Sequence, residues 1–151
     1  MPIASTELSS RIFSSEPRSE TALDGFTKLQ DNPAFKETVP YYITQIYYLQ
    51  GKYDKVISLA PDLSEKDNAK YELGMSHLIG DAFYKVGKYD EAVPFLEEYN
   101  NKSTTTRDED YQLGYAYFKS NHYNKAIAMF DKVATEQDKL AQISLYHIGD
   151  A

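Results

Sequence analysis

The side chains in this 151-residue sequence with the most chemistry to offer are three histidines and one run of acids. His77, His122 and His147 are potential metal ligands or proton carriers, and Asp108-Glu109-Asp110 holds carboxylates that could work as acid and base. Neither group has the spacing its chemistry needs. No H-E-x-x-H sets two imidazoles on one helical face, and with no Cys a zinc site would need distant carboxylates. His122 falls in a polar turn open to solvent, while His77 and His147 stand at nearly matching places of a repeated unit, which explains both without a shared site. The acidic run sits at a predicted helix start, where the helix dipole favours negative charge. Glycines occur singly, with no phosphate-cradling loop. The chain is therefore expected not to be an enzyme, with no catalytic residue, no metal site and no cofactor.

The elements that place these residues follow from a repeat. Gly80-Asp81-Ala82-Phe83-Tyr84-Lys85 returns as Gly114-Tyr115-Ala116-Tyr117-Phe118-Lys119, and both Gly80 to Gly114 and Ala92 to Ala126 are 34 residues. Leu113, Gly114 and Tyr117 share one helical face, as do Ala126, Ile127 and Phe130 on the next helix. The intervening Lys119-Ser120-Asn121-His122 is a short polar turn suited to two antiparallel helices. Gly87 holds the place of Asn121, where a left-handed residue ends the first helix. Small residues at Gly80, Gly114, Ala92 and Ala126 let helices approach, and Phe83, Tyr117, Leu96 and Phe130 fill the space beside them. Units of this kind bury their apolar faces against one another.

The expected fold is all-α: a right-handed superhelical solenoid of antiparallel helix pairs, with about three full repeats and partial ones at each end. The frame gives a degenerate repeat at 3–36, repeats at 37–72, 73–106 and 107–140, and the truncated first helix of a further repeat at 142–151. Ile148-Gly149-Asp150-Ala151 repeats Ile79-Gly80-Asp81-Ala82, as expected of an excerpt from a longer chain. In the degenerate repeat, helices are expected over 5–15 and 19–30. Two extra residues in 37–72 fall around Pro61-Asp62-Leu63-Ser64. Pro40 and Pro94 are placed in the first turn or so of a helix, and Pro61 shortens or kinks its own.

Composition narrows the partners. A formal net charge of −7 argues against nucleic acid and anionic membrane surfaces, which attract clustered Lys and Arg. No apolar run approaches the roughly 20 residues that span a bilayer, and Met1 to Phe13 lacks the basic and apolar regions of a signal peptide.

Leu113-Gly114-x-x-Tyr117 followed by Ala126-x-x-x-Phe130 resembles the tetratricopeptide (TPR) repeat signature. The resemblance covers 37–151 well and 3–36 weakly. The signature Trp is absent, Thr44 replaces a Gly, and Tyr99 and Val133 stand where Ala is usual. Within that family the phrasing is similar to long arrays in bacterial cell-envelope proteins, which would imply an envelope or periplasmic location and otherwise a cytoplasmic one.

The resemblance implies a concave peptide-binding face made by first helices. Tyr41, Gln45 and Tyr48 fall there from one unit, His77, Asp81, Tyr84 and Lys85 from the next, and Asp108, Tyr111, Tyr115, Phe118 and Lys119 from the third. Such a tyrosine-rich strip suits a protein or peptide partner, because Tyr joins large contact area to a polar tip. The same rings also suit packing between helices. The Lys/Asn clamp for carboxylate tails is missing: Tyr41 and Gln45 hold its first two places, and Asp81 would repel an acidic terminus. The alternative is an architectural spacer, or self-association through the exposed C-terminal helix with no ligand in the groove.

Overall fold

A computed structural model describes residues 16–36, 38–61 and 69–150. The expected helix over 5–15 and the insertion at Asp62-Leu63-Ser64 lie outside the described residues. Every regular element among the described residues is helical, with no strand. The helices are α1 (Glu16–Leu29), α2 (Val39–Leu49), α3 (Tyr53–Ser58), α4 (Ala69–Lys85), α5 (Tyr89–Lys102), α6 (Arg107–Lys119), α7 (Tyr123–Val133) and α8 (Lys139–Asp150). The chain divides into two compact units, Met1–Ala82 and Phe83–Ala151.

In the first unit α1 packs on α2 and α2 on α3. Val39, Ile46 and Val56 are fully buried there. Pro40 lies in the first turn of α2, where its missing N–H is no loss. Thr44, at the place of a repeat glycine, is also fully buried, and its hydroxyl donates to the Pro40 carbonyl at 2.7 Å. The helix's own backbone thus satisfies the polar atom that replaces the glycine. Gln50 Nε2 donates to Ser19 Oγ at 2.8 Å and ties the end of α2 to α1. Helix α3 has only six residues and ends at Ser58; after a turn at Leu59 the backbone is helical again at Ala60 and Pro61, so the interruption falls before the proline and not at it.

In the second unit α6 packs on α5 and on α7, and α8 packs on α7. Its interior holds Leu96, Leu113, Ala116, Ala126, Phe130 and Val133. Gly114 sets the approach of α6 and α7: a Cβ there would stand 3.0 Å from Phe130 Cε1 and 3.1 Å from Met129 Cβ. Thr106 and Glu109 form a reciprocal capping box at the start of α6. Pro94 departs from expectation. It lies in the body of α5, beyond the first turn, and the helix continues through it. The side chain is exposed, so water can satisfy the carbonyl that its absent N–H leaves free. Helix α8 starts at Lys139, three residues before Gln142. Asp138 supplies the start by accepting from the Ala141 N–H at 2.9 Å.

One turn occurs three times. Gly51, Gly87 and Asn121 adopt left-handed φ of 71°, 80° and 63°. The next residue's N–H reaches back to Tyr47, Phe83 and Tyr117 carbonyls at 2.9, 2.9 and 2.8 Å. This is the Schellman closure of a helix end, and it requires a residue that tolerates positive φ. Across each turn a ring pair meets edge-on: Tyr48–Tyr53 at 5.5 Å, Tyr84–Tyr89 at 5.4 Å and Phe118–Tyr123 at 5.9 Å.

Candidate interaction face

In the first unit the expected residues are largely engaged with their neighbours. Tyr41 packs against Tyr42 and Tyr71, with centroids at 5.5 and 5.3 Å, and its ring lies on Gly74. The Tyr48 hydroxyl donates to Oδ2 of Asp81, a residue only 9% exposed. Asp81 is therefore an internal acceptor, not a surface charge that would repel an acidic terminus. Burial pushes the Tyr41 phenol up, and burial together with the Asp81 carboxylate pushes Tyr48 well above the usual tyrosine range. Gln45 and His77 are half-buried.

The second unit gathers its aromatic residues around Tyr115. Tyr84, Tyr89 and Tyr115 meet pairwise, with centroids 5.4, 6.0 and 5.6 Å apart and ring planes 68–82° to one another. Tyr111 stacks on Tyr115 at 6.2 Å, and Phe118 lies 6.4 Å away on the other side. Lys119 Nζ stands 5.9 Å from the Tyr89 ring centroid, within cation–π range. Lys85 and Asp108 are exposed beside none of these ring pairs, Asp108 in the first turn of α6.

The hydroxyls separate these tyrosines by use. Tyr117 donates to Glu97, and Tyr111 shares a 3.2 Å hydrogen bond with His147 Nε2. Tyr89 and Tyr115 have half-buried rings, and their hydroxyls have no hydrogen-bond partner among the described residues.

Three contributors escaped the sequence reading. His147 inserts among Tyr111, Tyr115, Phe118 and Phe130, with ring centroids at 5.2–6.1 Å. Tyr89 and Tyr123 complete the ring pairs across their turns. The recurrence of Tyr53, Tyr89 and Tyr123 at one repeat place was the signal that could have found them. No group of three or more His, Asp or Glu among the described residues could hold a metal ion. No helix among them is long and apolar enough to cross a membrane.

Residues 111–139 match the tetratricopeptide repeat family. No curated protein matches the chain in sequence. In structure the chain resembles the nearly identical TPR-like repeats of a protein assigned as a kinesin light chain of Podosopora anserina. That similarity has a TM-score of 0.61 at 14% identity, and covers 99% of this chain and 84% of the other.

Proposed function

We propose that the tyrosine face of the second unit binds an extended peptide segment of a partner protein, on the premise that a chain whose residues 111–139 match the tetratricopeptide repeat family, and whose fold resembles TPR-like repeats, works as such repeats do. Repeats of this kind generally mediate protein–protein interaction, and their stacked helices typically form a scaffold for contact.

The observation that carries this reading is the state of Tyr89 and Tyr115. Their rings are held edge-on by neighbours, so little rotamer freedom is left to lose on binding. Their hydroxyls remain available to donate to a peptide carbonyl. Phe118 and Tyr84 extend the apolar surface on either side, and Lys119 adds one positive charge. Tyr48, by contrast, spends its hydroxyl on Asp81, so the first unit's rings contribute less to this reading.

The test is selection of displayed peptides on the full chain, followed by titration of the enriched sequences. Tyr89→Ala and Tyr115→Ala should each weaken binding by roughly tenfold or more, the behaviour of aromatic anchors at an interface. Helicity by circular dichroism should be retained. Affinities unchanged in both variants would refute the assignment.

A further inference from the structure

Four rings of the second unit run in one continuous array. Tyr84, Tyr89 and Tyr115 cross edge-on, and Phe118 lies beside Tyr115 with its ring tilted by 33°. Such an array is ridged: a small flat ring can lie on one aromatic face while touching the edge of the next. It is also stiff, because Tyr115 is backed by Tyr111 at 6.2 Å and His147 at 5.4 Å.

The polar groups on this array lean towards donation. The Tyr89 and Tyr115 hydroxyls have no hydrogen-bond partner among the described residues. Lys119, whose Nζ lies 5.9 Å from the Tyr89 ring centroid, is exposed and can only donate. What suits the array is therefore a backbone rich in free carbonyls and poor in N–H groups.

The possible backbones differ on that point. A strand-like segment carries N–H groups that call for a sheet edge, and the described residues hold no strand. A helix pairs its own N–H and carbonyl groups and makes no use of two hydroxyls. Polyproline II has no internal hydrogen bonds, and its prolines have no N–H, so only its carbonyls need partners. Its pyrrolidine rings fit between aromatic ridges, and its shape is set before binding, which lowers the entropic cost.

Resting on the reading that this face takes an extended peptide, we propose that the peptide is a proline-rich segment in the polyproline II conformation. Its prolines pack on the Tyr84, Tyr89, Tyr115 and Phe118 rings, and its carbonyls accept from Tyr89 and Tyr115.

The probe is fluorescein-labelled decaproline titrated against the full chain, beside an equally long Gly-Ser peptide and the all-D decaproline. The L-decaproline should bind at least about tenfold more tightly than either control, since the Gly-Ser peptide is a flexible coil and the D-peptide has the opposite hand. Tyr89→Phe and Tyr115→Phe keep the rings and should each weaken L-decaproline binding by about fivefold, the scale of one hydrogen bond. Equal affinity for L- and D-decaproline would mean unspecific apolar adsorption and would overturn the proposal. So would affinity that neither Phe variant lowers, or L-decaproline binding no better than the Gly-Ser peptide. If selection on the chain enriches proline-free peptides that need Tyr89 and Tyr115 while decaproline stays unbound, this proposal fails and peptide capture stands. If no peptide of any kind depends on those two tyrosines, both fail.

Discussion

Tyr48 and Tyr84 hold the same place in successive repeats, and so do Asp81 and Tyr115. In the first unit the pair is closed: Tyr48 donates to a buried carboxylate. In the second it is a ring-on-ring contact at 6.0 Å, with the Tyr115 hydroxyl unclaimed among the described residues. The repeat decides which positions meet. The side chain placed there decides whether the meeting holds the fold together or leaves a surface for something else.

The largest effect should come from removing a ring that only packs. Phe130→Ala empties a fully buried site against Gly114 and should cost about 3–5 kcal/mol, read by denaturant unfolding. Tyr41→Ala in the first unit removes a half-exposed ring and should cost about 1–2 kcal/mol. Equal losses would mean that burial does not separate these two rings.

Deleting single hydroxyls tests the Tyr48 and Tyr115 contrast directly. Tyr48→Phe strips a donor from a buried carboxylate and should destabilise by about 1.5–3 kcal/mol. Tyr115→Phe should change stability by less than about 0.5 kcal/mol, since no internal bond is lost. A destabilising Tyr115→Phe would reclassify that hydroxyl as structural.

The glycines give a finer comparison. A Cβ at Gly74 would come within 2.9 Å of Tyr41 Cε2, the far end of a half-exposed ring that can swing aside. At Gly114 the obstacle is the buried Phe130 ring and the Met129 Cβ, which cannot. Gly114→Ala should therefore lose about 1 kcal/mol net, overpacking outweighing the gain in helix propensity. Gly74→Ala should be neutral or slightly stabilising. Thermal melts of the two variants shifting together would remove the distinction.

These contrasts also mark what the sequence could say. Gly51, Gly87 and Asn121 announced the turns because a left-handed backbone restricts residue choice, and the spacing of small and large residues announced the helix pairs. Pro94 misled because one missing N–H on an exposed helix face is tolerated well past the first turn. Asp110 looked like part of a helix-starting run. Glu109 does that work with Thr106, while Asp110 turns inward to Asn100, Thr105 and Lys132. The Tyr48–Asp81 bond and the insertion of His147 were not legible, because each depends on rotamers and on a neighbour more than 30 residues away.

The smallest effect expected is in acid, and it belongs to the second unit. The Arg107 guanidinium grips Asp138 through Nη1 at 2.6 Å and Nη2 at 3.2 Å, and the Ala141 N–H adds a further bond. Together they hold that carboxyl down to about 2. Burial works to raise Glu97 and Asp110, but hydrogen bonds from Tyr117 and Lys125, and from Lys132, Thr105 and Asn100, outweigh it and hold both low. A carboxyl lowered by folding stabilises the fold above its unfolded pKa of about 3.9, and that contribution disappears as pH falls toward the folded value. For Asp138 the window runs from about pH 4 down to about 2. Asp138→Asn keeps an oxygen to cap α8 but removes the charge that Arg107 holds. Hydrogen exchange at α8 amides should then be faster near neutrality and flatter through that acid window than in the parent. If the α8 amides of the Asn variant keep the parent's full acid response, the Arg107 clasp is not what ties α8 to its unit.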